Sequence, residues 1–159
     1  MIEITRLLLD FGLCILIWMV QLIVYPSFLF FSDNNLFTWH KTYTKAIALI
    51  VTPLMLGQLG IVIYQVFLIQ NAYTLTSIVL VVFLWGITLL KFAPLHQQIS
   101  EGNTHLQVQK KLVQMNWMRT IVWTILFVMS ATSDILKSLW KGISLDPFLV
   151  LHAHRLTFF

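Results

Sequence analysis

His40, His96, Asn116 and Arg119 are the residues of this chain best suited to chemistry. Two imidazoles brought to similar depth by different helices can act as general acid and base, as metal ligands or as axial ligands to haem. An arginine one helical turn after an asparagine can stabilise an oxyanion with preorganised donors. Tyr25, Trp39, Tyr43, Lys91, Trp117 and Trp123 lie near the same membrane face and are candidate substrate contacts. Plainer roles compete with these. An interfacial histidine can touch headgroups or cap a helix end, and the stripe Trp18, Trp85, Trp123 can simply pack helices. Two histidines without a nearby carboxylate make a poor closed metal site, because Asp33 and Glu101 fall in loops. No metal site and no cofactor are therefore expected, with haem or a metal on His40 and His96 as the lesser alternative.

The elements that must position these residues are long and apolar. The chain has 159 residues, 58% hydrophobic and 10% charged, with mean hydropathy +0.84. An ordinary soluble domain is roughly 25% charged. Four runs, about 7–31, 43–69, 73–96 and 112–133, reach the roughly 20 apolar residues that cross a bilayer. The expectation is an all-α fold: an up-down-up-down four-helix transmembrane bundle over residues 1–137 of an integral protein of the plasma or bacterial inner membrane. Residues 138–159 are too polar and too broken for a fifth span and read as an irregular or interfacial tail. The first run is too long for a signal core and lacks a small-residue cleavage site, so it reads as a retained helix.

An even number of spans places both termini on one side and gathers the candidate residues on the other. Lys41, Lys45, Lys110 and Lys111 flank the spans on the histidine side, against Arg6, Lys137 and Lys141 opposite, which leans toward a cytoplasmic histidine face. A charge of +4 without a basic stripe fits a membrane surface and sets nucleic acid aside. The single cysteine, Cys14, excludes an intrachain disulfide and CxxC redox chemistry.

Within the runs, Asp10, Cys14, Trp18, Gln21 and Tyr25 share one face of the first helix, and Pro26 bends or ends it. His40, Thr44, Ile47, Val51, Met55 and Gln58 share a face of the second, where Pro53 frees the Leu49 carbonyl. Asp10 reads as an interfacial carboxylate beside Arg6, with an interior proton-carrying role as the alternative. Arg119 lies about two turns inside the fourth helix, where an interior position with acceptors is expected. Asn116 with Thr120, and Arg119 with Trp123, are i, i+4 neighbours. A homodimer is expected of such a bundle, although no GxxxG marks its interface.

Tyr25-Pro26, Trp39-His40, Pro94-Leu95-His96 and Asn116-Trp117-Met118-Arg119 together resemble small four-helix membrane proteins of the anthrone-oxygenase-like family, over about residues 10–133. The resemblance implies oxygen insertion into an activated aromatic or quinol-like substrate without a metal. A histidine would remove a proton, and Arg119 and Asn116 would hold the resulting enolate-like anion while it reacts with dioxygen. Two further functions fit the same residues. One is a non-catalytic protein that binds or transports a lipophilic anion, with Arg119 as counter-charge. The other is an accessory membrane subunit in which the cluster anchors helix ends.

Overall fold

The apolar runs form four long helices, which a computed structural model describes through residue 145, with side chains described through Ser133. They are α1 (Ile2–Phe30), α2 (Asp33–Leu68), α3 (Ala72–Ser100) and α4 (Leu106–Leu145), and no strand occurs among the described residues. All four are long and apolar enough to cross a membrane, α4 over Leu106–Ser133. At 1.5 Å per residue, about 20 residues already match the hydrocarbon thickness. The result is the expected up-down-up-down bundle of a multi-pass membrane protein. α4 continues as helix past the expected boundary at 137, and the rest of the expected tail, residues 146–159, lies outside the described residues.

The distribution of side chains is that of a bundle in lipid. Leu49, Phe67 and Leu90 are 79%, 82% and 74% exposed, while Arg6, Asp10, His40, Gln58, Asn116 and Arg119 are buried between helices. In hydrocarbon, outward apolar side chains cost nothing, and polar groups lower their free energy by finding each other inside. Leu13, Ile17, Phe28, Val62, Leu84, Phe92, Trp123 and Leu126 fill the space between.

Three connections are short because local chemistry stops each helix. Ser32 takes an extended conformation and its carbonyl accepts from Leu36 N–H at 2.8 Å, so α2 begins at Asp33. Asp33, expected in a loop, is thus the first residue of a helix, where its carboxylate complements the dipole. Between α2 and α3, Asn71 and Thr74 form a reciprocal capping box (3.0 and 3.1 Å). Between α3 and α4, Gly102 adopts φ +99°, a left-handed conformation that L side chains rarely take.

Prolines shape the helices at the site. A proline removes the N–H that would serve the carbonyl four residues back. Ahead of Pro26, α1 widens into a π turn over Val20–Val24, with Tyr25 N–H donating to Val20 O. Ahead of Pro94, α3 does the same over Thr88–Phe92, with Ala93 N–H donating to Thr88 O. The helices pass through these prolines to Phe30 and Ser100. The extra residue in each turn rotates the side chains beyond it, among them Tyr25 on one helix and His96 on the other.

Candidate functional site

A cavity of about 620 Å³ lies among α1, α2 and α3, within the range that holds a drug-sized molecule. The predicted face of α2 forms one wall: Thr44, Ile47, Val51 and Met55 all line it. Leu16, Ile17 and Val20 of α1 and Phe92 of α3 complete the apolar surface, while Tyr25, Tyr43, His96 and Arg119 make one end polar. Ala48 and Thr52 on α2, and Leu89, Ala93 and Gln97 on α3, line the cavity and are also exposed. The cavity therefore opens sideways, between α2 and α3, onto the surface that faces lipid. Polar bonds fasten these two helices beyond either end of the gap. Thr74 Oγ1 donates to Ile69 O at 2.7 Å at the hairpin, and His40 bonds to His96 and Ser100 at the other end.

The two histidines meet directly. His40 Nε2 and His96 Nδ1 are 2.9 Å apart, with ring centroids at 5.1 Å. His96 Nε2 lies 2.8 Å from Tyr25 Oη, and His40 Nδ1 lies 3.0 Å from Ser100 Oγ. Two opposite assignments of protons satisfy all three bonds; in one of them Tyr25 donates to His96, His96 to His40, and His40 to Ser100. Both imidazoles are then neutral, and every ring nitrogen has a partner. The run leads from Tyr25 to Ser100, the last residue of α3, and both ends line the cavity. It does not fit axial ligation of haem, because two metal–nitrogen bonds of roughly 2 Å on opposite sides of an iron need about 4 Å between the nitrogens. Among the described residues, no group of three His, Cys, Asp or Glu converges as metal ligands.

Arg119 is buried and lines the cavity together with Tyr25. Its Cζ stands 4.3 Å from the Phe92 ring centroid and 5.1 Å from that of Trp123, the latter being its predicted i, i+4 neighbour. Its Nε has no hydrogen-bond partner, and no carboxylate forms an ion pair with it among the described residues. Aromatic faces lower the cost of such a charge without neutralising it.

The remaining candidates fall outside the cavity. Asn116 donates to Gln21 Oε1 at 2.9 Å, and Gln21 in turn donates to Val113 O at 3.3 Å, so the amide expected beside an oxyanion is committed to joining α1 and α4. Thr120, its predicted neighbour, bonds the Asn116 carbonyl. His40 is fully buried behind His96 and does not line the cavity. Trp39 is 45% exposed and stacks between Phe31 and Tyr43. Lys91 is exposed on a different groove, since the π turn directs it away from the site. Trp117 is 43% exposed and packs edge-on against Trp18. Trp123 is buried beneath Arg119. Ser100 is absent from the sequence-derived candidates, although its i, i+4 spacing from His96 is a usable signal.

A second polar network fills the other half of the bundle. Arg6 Nε and Asp10 Oδ2 are 2.7 Å apart, both fully buried, so the expected pair forms and is enclosed between the helices. Gln58 donates to Asp10 Oδ1 at 2.6 Å, and Gln65 Oε1 accepts from Arg6 at 2.7 Å. Trp123 Nε1 donates to Gln58 Oε1 at 3.3 Å and so links this network to the ring beneath Arg119.

Fold and site together define a four-helix, multi-pass membrane protein with a laterally open cavity that is polar at one end. The chain matches no family model, no curated protein and no solved structure.

Proposed function

We propose that this protein is a membrane enzyme that takes a small lipophilic acid, such as a phenol, quinol or enolisable ketone, from the bilayer and ionises it. The observation that carries this reading is Arg119: a buried guanidinium without a carboxylate partner, beside a proton-bearing chain, in a cavity open to lipid. The acid gives its proton to Tyr25 Oη as Tyr25 passes its own to His96 Nε2. His96 Nδ1–H moves to His40 Nε2, and His40 Nδ1–H moves to Ser100 Oγ as Ser100 releases its own hydroxyl proton to water at that end of α3. The imidazoles stay neutral and change tautomer, so no second buried cation forms. The anion remains against Arg119, where low dielectric strengthens the attraction.

The resemblance to anthrone-oxygenase-like proteins extends this to an oxidoreductase. The carbanion form of the anion reacts with dioxygen, converting an activated CH₂ to C=O, with one O₂ consumed and one water released. The lysines flanking the histidine side favour a cytoplasmic placement of that face. The test is oxygen uptake by protein purified in mild detergent, supplied with anthrone-type ketones and lipophilic hydroquinones. Uptake should fall at least a hundredfold in Arg119→Ala and His96→Ala. Absence of uptake by the folded wild-type protein with every substrate sinks the enzyme reading.

A second reading has its own support. Both ring nitrogens of His96 are engaged, which leaves charge pairing with Arg119 as the readiest open interaction. Saturable binding of a lipophilic anion without turnover, lost in Arg119→Ala, would identify a binding or transport protein.

A further inference from the structure

The cavity has a second, deeper polar feature. Trp85 and Thr88 of α3 both line it, and the Trp85 indole N–H and the Thr88 hydroxyl are buried without a hydrogen-bond partner. A threonine hydroxyl inside a helix ordinarily bonds the carbonyl of the preceding turn, as Thr44, Thr120 and Thr124 do. Thr88 opens the π turn, and its hydroxyl makes no such bond. Buried polar groups are almost always satisfied, so two orphans on one cavity wall call for an occupant with an acceptor.

Their height on α3 fixes where that acceptor lies. Arg119 sits over Phe92, four residues beyond Thr88 and seven beyond Trp85. At 1.5 Å per residue, the two donors lie about 6 and 10 Å deeper than the level of the guanidinium. A fatty acid bound with its carboxylate at Arg119 would lay methylenes against both donors.

We infer that the cavity takes a two-ended ligand: an acidic oxygen at Arg119, and a carbonyl or ether oxygen roughly 6–10 Å deeper, received by Trp85 Nε1–H and Thr88 Oγ1–H. Rigid aromatic ketones, hydroxyquinones and related ring systems have this pattern; single-headed lipids lack it. The inference rests on the reading of the cavity as the site of a lipophilic acid.

The test compares two probes of nearly equal shape, 4-hydroxybenzophenone and 4-benzylphenol, which differ by a carbonyl in place of a methylene. Their dissociation constants are measured on full-length protein in detergent for wild type, Trp85→Phe, Thr88→Val and Arg119→Ala. The ketone should bind about tenfold or more tightly than the methylene compound, the scale of one to two hydrogen bonds to otherwise unpaired buried groups. Part of that ratio reflects the greater acidity of the ketone's phenol, which the variants separate. Trp85→Phe and Thr88→Val should each lower the ratio several-fold while leaving the affinity of 4-benzylphenol nearly unchanged. A ratio unaltered in both variants overturns the two-ended ligand. Failure of either probe to bind wild type, or binding indifferent to Arg119→Ala, overturns the site reading along with it.

Discussion

Arg119 costs the bundle stability, because a buried charge set against ring faces without a carboxylate is incompletely compensated. Arg119→Met should therefore raise stability by about 1 kcal/mol or more while abolishing binding of acidic lipophiles. Thermal unfolding in detergent, read beside ligand binding, checks both; a less stable Met variant would assign the arginine to structure. Asp10 gives the opposite expectation. Asp10→Ala strands the buried Arg6 cation and should cost about 3–5 kcal/mol, whereas the joint change Arg6→Met, Asp10→Leu should recover most of it. If the double variant is no better than the single one, the pair does more than compensate itself. At this scale the sequence identified His40, His96, Arg119, Tyr25 and Tyr43 as neighbours, because residues of similar depth at one end of a bundle must converge. It misplaced Asn116 and Lys91. Depth is legible from position in a helix, but which neighbour claims an amide or which way a lysine turns depends on packing and on the π turns.

The helices themselves were plain from length and composition, and the cavity wall of α2 followed from spacing, since Thr44, Ile47, Val51 and Met55 fall where a regular helix puts them. The prolines were legible as disturbances but not as π turns, because a missing N–H can be absorbed by a kink, a stop or a widened turn. Pro94→Ala lets α3 return to regular α-helix. We expect unchanged far-UV circular dichroism but at least tenfold weaker ligand binding, as His96 rotates away from Tyr25. Binding at wild-type strength would mean that His40 alone suffices to hold His96 in place. Asn71→Ala removes the half of the α2–α3 capping box in which the Asn71 side chain accepts from Thr74 N–H, and should cost about 1 kcal/mol, measured by thermal unfolding.

As a whole, the molecule is a bundle with its polar residues inside and one side left ajar. A ligand entering between α2 and α3 passes Ala93, so Ala93→Trp should slow association at least tenfold with little change in stability; stopped-flow fluorescence would show it, and an unaltered rate would place the entrance elsewhere. The opening did not follow from the sequence, because a gap is the difference between two surfaces and each surface alone looks like ordinary lipid-facing helix. The fastening of that gap has one more consequence. The hydrogen bonds of His40 with His96 and Ser100 close one end of it, and in the proposed mechanism those same bonds carry the proton from Tyr25. The helices can spread there only by interrupting the relay, so the doorway and the chemistry use one latch and take turns: while a proton is in transit the occupant is shut in, and when the door swings wide the acid–base chain is off.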